Sequence, residues 1–137
     1  MLAKFTLPEK AVILLGVLTL ALALANLGRA VVALGYSVRL PDLPTTIPLW
    51  YLAAMGGFWG VAFTASTVGL SLFREWGRRC ALAAVTLYQV NAWLNRLLFV
   101  ASDYARQTFP RDLFLTVTLL LIVWVPLNLP GVRQVFE

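Results

Sequence analysis

The sequence has no histidine, a single cysteine (Cys80) and only six acidic residues in 137 positions. Without histidine the commonest metal ligand and proton carrier is missing, and one thiol excludes an internal disulfide. No Asp or Glu falls within the apolar runs 11–34, 48–73 or 80–101. Paired carboxylates, metal-ligand spacing, a glycine-rich phosphate loop and a nucleophile beside a base are all lacking. These absences argue against an enzyme and against a resident metal or cofactor.

Charge of any sign is scarce. Charged residues make up 12% of the chain and hydrophobic residues 61%, with a mean hydropathy of +0.83, whereas soluble domains carry about a quarter charged residues. The composition is that of an integral membrane protein whose apolar surface is solvated by the lipid bilayer. The net charge is +5, but the basic residues are scattered at the ends of apolar runs. That distribution fits loop retention on the cytoplasmic side of a cell membrane, and no dense basic patch recommends nucleic acid as a partner.

The apolar runs predict an all-α, four-span bundle in a single domain covering 1–137, with spans at about 11–34, 48–73, 80–101 and 110–127. Thr6-Leu7-Pro8-Glu9 has the capping-box pattern with proline in the first turn, and opens the first span. Lys4 and Lys10 followed by Ala23-Leu24-Ala25 also outline a cleavable secretory signal, but the apolar run continues past that point and is read as a retained span. The stretch 35–47 is expected to be a loop, with Thr45 or Thr46 capping the second span. A second loop is expected at 102–111, with Thr108 as cap and Pro110 and Asp112 in the first turn of the fourth span. Pro126 is expected to end or kink that span, leaving Val132–Glu137 as a tail at the interface. Six basic residues flank the side that holds both termini (Lys4, Lys10, Arg74, Arg78, Arg79, Arg133) and three the other (Arg39, Arg106, Arg111). The excess places both termini in the cytoplasm.

The second span carries a G-x-x-x-G pair, Gly56 and Gly60, widened by Gly57 and Thr64 into a ridge of small residues. Such a ridge admits another helix closely, from the same chain or from a second copy in a homo-oligomer. Ser66, Thr67 and Ser71 on the same span are expected to bond to their own helix or to pack.

The third span is the least like a lipid-facing helix. At about 100° per residue, Gln89, Arg96 and Asp103 align on one side, with Tyr88, Asn91 and Asn95 beside them. A polar face in hydrocarbon must look at protein or water, so this helix is expected at the centre of the bundle and the apolar fourth at its periphery. Asn26 and Arg29 on the first span are expected at the same depth as Asn95 and Arg96, with Asp103 neutralising one arginine.

Three uses of that layer follow. The arginines snorkel while the asparagines bond between helices; or the layer holds an anion or lipid headgroup in an outward-facing site at Arg29 and Arg96, as in a small transporter or channel; or it engages another membrane protein. In size and span count the chain is similar to small multidrug transporters and small fluoride channels. Neither resemblance extends to residues: the first span holds no coupling acid, and Asn26-Leu27-Gly28-Arg29 does not match the channels' glycine-rich signature. A non-catalytic structural or accessory component is the leading expectation.

Overall fold

The computed structural model describes residues 4–99 and 102–137, almost all of them helical. Four long helices, α1 (Leu7–Arg39), α2 (Leu49–Ser71), α3 (Glu75–Phe99) and α4 (Asp103–Asn128), precede a short α5 (Pro130–Arg133) and a 3₁₀ turn (Gln134–Phe136). Among the described residues α1, α2 and α4 are long and apolar enough to cross a membrane. By the same measure α3 is too polar, because Gln89, Asn91, Asn95 and Arg96 interrupt its apolar run.

Local signals fix several ends. The Glu9 carboxylate accepts from the Thr6 amide at 2.7 Å and its hydroxyl at 2.9 Å, which starts α1 at Leu7. Its far end lies beyond the expected Leu34: Gly35 and Tyr36 stay helical and the connection shrinks to 40–48. At 33 residues α1 is about 50 Å long. Neither Thr45 nor Thr46 caps α2, which begins after Pro48 without a side-chain cap. The α2 C-terminus closes as a Schellman turn: the Arg74 amide donates to Gly69 O and the Phe73 amide to Leu70 O, both at 3.0 Å. Phe73 takes the left-handed position, with φ of 51°.

The expected loop at 102–111 is a correction. The Ser102 hydroxyl accepts from the Ala105 amide at 3.3 Å and starts α4 at Asp103, while Thr108 lies inside the helix and donates to Ala105 O. Pro110 and Pro126 are both interior. The C-terminal segment is a second correction: in place of a surface tail, Val132 and Phe136 turn back into the apolar core.

Packing follows chain order, α1 on α2, α2 on α3 and α3 on α4, with α5 wedged against α1 and α4 and a brief α1–α4 contact. The central position therefore belongs to α2 and α3 together, a correction to the expectation that the third helix alone is central. The core draws on Val12 and Leu15 of α1, Phe63 and Leu70 of α2, Ala81 and Val85 of α3, and Val123 and Leu127 of α4. Every buried residue of α3 falls between Gly77 and Val85. The bundle is thus closed at the end where α2 meets α3 and open at the other.

Two close approaches set the closed geometry. On α2, a methyl at Gly56 would lie 2.7 Å from Asn26 O, and one at Gly60 would overlap Leu27; both face α1. Gly57 has nothing within 4 Å, and Thr64 donates to Gly60 O at 2.7 Å. At the α2–α3 corner, Gly69 and Gly77 touch so closely that a Cβ on either would overlap the other's backbone. Beside this corner Arg78, almost fully buried, grips Glu75 with two bonds of 2.7 Å and donates to Leu127 O at 3.3 Å. It ties the start of α3 to the end of α4, where unsatisfied carbonyls attract a cation. The same bonds hold the Glu75 carboxyl, which precedes the apolar part of α3, down to about 2.

Overpacking at a backbone contact costs about 1–3 kcal/mol. Gly77→Ala should therefore lower the midpoint of thermal unfolding in detergent by several degrees, while Gly57→Ala leaves it unchanged. Equal midpoints for both variants would contradict the close α2–α3 approach.

Candidate functional site

The polar residues of α3 divide between two neighbours. Toward α4 the contacts form a ladder of three rungs. Trp124 Nε1 donates to Thr86 Oγ1 at 2.8 Å, Trp93 Nε1 donates to Thr116 Oγ1 at 3.0 Å, and Thr116 Oγ1 donates to Gln89 Oε1 at 3.2 Å. At the top rung Arg96 forms an ion pair with Asp112 and donates to Thr108 Oγ1 at 3.3 Å. Its guanidinium also lies over the rings of Trp93 and Phe109, 5.5 and 5.8 Å from their centroids. An apolar solvent strengthens each of these bonds because no water competes for them.

Arg96 is therefore neutralised by Asp112, not by Asp103, which sits in the first turn of α4. The expected loop concealed this. With α4 starting at Asp103, Asp112 stands more than two turns inside the helix, opposite Arg96. Trp93, Thr116 and Thr86 are further partners that residue type alone did not single out; antiparallel pairing of α3 with a correctly bounded α4 would have found them.

The other polar set faces α1 and α2. Tyr51 donates to Asn95 Oδ1 at 2.7 Å and Asn95 Nδ2 donates to Asn91 Oδ1 at 3.2 Å, a relay that joins α2 to α3. Tyr88 stands edge-on to Trp59 and Phe63, with centroids 5.5 and 5.3 Å apart. Asn26 is buried and donates to Leu22 O on its own helix at 2.8 Å. Lower in the bundle Thr19 and Thr67 share a bond of 2.9 Å between α1 and α2, and Ser66 donates to Ala62 O at 2.9 Å and to Cys80 Sγ at 3.3 Å.

Asn26, Arg29, Tyr88, Asn91 and Asn95 line a crevice of about 70 Å³ with Trp59. The site expected at Arg29 and Arg96 is accordingly split, since Arg96 opens instead on the α3–α4 groove of about 440 Å³ with Gln89 and Asp112. Arg29 shares its crevice with Asn95, the residue before Arg96, while the Arg96 side chain turns to the other groove.

Comparison with protein-family models, with curated proteins and with solved structures finds no match for the chain. Chemistry must then be read from the residues themselves. Among the described residues Arg29 makes no ion pair and no hydrogen bond, although its side chain is exposed. Trp59 also lines the crevice, and among the described residues its buried indole nitrogen has no acceptor. No carboxylate lines the crevice.

Removing one partner of a mostly buried charge pair leaves the other uncompensated, at about 1–3 kcal/mol. Asp112→Leu should therefore destabilise the fold in detergent more than Arg96→Leu with Asp112→Leu together. A double variant that unfolds no later than the single one would show that the pair is not coupled.

Proposed function

We propose that this chain is a non-catalytic, multi-pass component of the cell membrane that works by engaging another membrane protein through the open half of its bundle. In this reading α3 is a fourth span, both termini are cytoplasmic, and the closed end with Arg74, Arg78 and Arg79 lies on the cytoplasmic side. The basic-residue excess on that side supports the orientation. The pairing of α3's polar groups with α2 and α4 supports its placement in the bilayer, because a helix whose polar faces are covered by protein can lie at membrane depth.

The observation that carries the proposal is the contrast between the two arginines. Arg96 has its carboxylate and two aromatic rings; among the described residues Arg29 has neither. A charge at membrane depth costs at least about 2.5–3.5 kcal/mol on insertion scales, and the chain offsets it at one site and not at the other. An anion or headgroup at Arg29 alone, as part of a small transporter or channel, is the second reading. The lack of a carboxylate in the crevice lining favours it, and the loss of Arg96 from the site weakens it.

A photo-reactive residue introduced at Val32 or Leu52, beside Arg29, is expected to give a discrete heavier protein adduct in native membranes, whereas one at Val117 or Leu121 on exposed α4 gives lipid adducts. Lipid adducts alone at all four positions would contradict a protein partner.

A further inference from the structure

Arg29 borders two hollows. On one side is the polar crevice of about 70 Å³, and on the other an open apolar groove of about 410 Å³ between α1 and α2, lined by Val32, Ala33, Tyr36, Leu49 and Leu52. Leu52 is shared by both. Asn26 O and Ala30, which flank Arg29 on α1, meet Gly56, about one turn from the midpoint of α2 and about 10 Å short of its open-side end. Among the described residues the Arg29 guanidinium has no acceptor. Leaving such a donor unpaired costs about 1–3 kcal/mol.

We infer that the crevice receives one carboxylate carried by a membrane-spanning helix of a different protein, with Arg29 as its charged donor and the adjoining groove seating the apolar face of that helix. This rests on the proposal that the chain engages another membrane protein and names the chemistry of that partner. The crevice holds about two water volumes, which suits a single carboxylate group. The groove beside it is almost wholly apolar, as a helix surface requires and a hydrated ion does not. A second copy of this chain lacks the needed acid. Its six are Glu9, Asp42, Glu75, Asp103, Asp112 and Glu137; of these only Asp112 lies well within an apolar span, and it is held by Arg96 and Arg111.

The test uses the full chain, labelled with a fluorescence donor, in phosphatidylcholine vesicles with acceptor-labelled single-span peptides of leucine and alanine. The peptides carry Glu, Gln or Leu about one turn from the centre. Energy transfer is expected with the Glu peptide and not with the Gln or Leu peptide. Arg29→Leu should abolish the difference, and Arg29→Glu should accept a Lys peptide instead. Unchanged thermal unfolding of each variant shows that the fold is intact. Equal transfer for the three peptides overturns the inference. So does stabilisation by acetate that depends on Arg29 without peptide discrimination, which assigns the crevice to a free anion, or Arg29-dependent transfer between two labelled copies. A protein adduct at Val32 that persists in Arg29→Leu would leave the partner proposal standing while removing the carboxylate.

Discussion

Hydrocarbon offers no hydrogen bonds, so every polar group that enters it must find its partner in protein or trapped water. With α3 placed in the bilayer as proposed, this constraint accounts for how it is held. Its apolar first half is buried among α1, α2 and α4 around Ala81 and Val85. Its polar second half is covered on one side by the Tyr51–Asn95–Asn91 relay and on the other by the ladder from Thr86 to Arg96. Shape does the work between α1 and α2, where Gly56 and Gly60 admit the other backbone. Between α3 and α4 the contact is made mainly by polar side chains, and the groove beside them stays open.

The closed end depends on a different balance. Gly69 and Gly77 bring two backbones together at the corner, and the buried Arg78 links Glu75 with the last turn of α4. Two residues usually read as topology signals thus divide: Arg79 stays exposed and pairs with Glu75 at 3.0 Å from the surface, while Arg78 holds the fold. With α5 and Phe136 packed into the same end, the bundle is anchored where it is tightest and widest where its polar residues stand.

Much of this was legible from residue pattern. The capping box at Thr6, the apolar runs of α1, α2 and α4, and the division of α3's polar residues into a Gln89–Arg96 side and a Tyr88–Asn91–Asn95 side follow from local chemistry and helical period. Helix ends were less legible. Ser102 outcompeted Thr108 as a cap, and that shift of less than three turns hid the Arg96–Asp112 pair. Arg78 and Gly77 read as loop residues until the Schellman turn shortened the connection. Long-range pairing is not encoded in local period, so the division of Arg29 and Arg96 between different hollows emerged only from the packing of the helices. Trp59 gave no sequence signal, since an indole is at home in any apolar helix and only its missing acceptor marks it.

The central claim is that α3 lies within the membrane with its polar faces covered by its own neighbours, while Arg29 has no carboxylate partner among the described residues. Single cysteines placed along 86–98 in a Cys80→Ser background and challenged with a membrane-impermeant thiol reagent from each side test it most directly. Protection at Gln89, Asn91 and Trp93 from both sides is the predicted result. Uniform labelling from one side along the whole of α3 would place the helix outside the bilayer and contradict it.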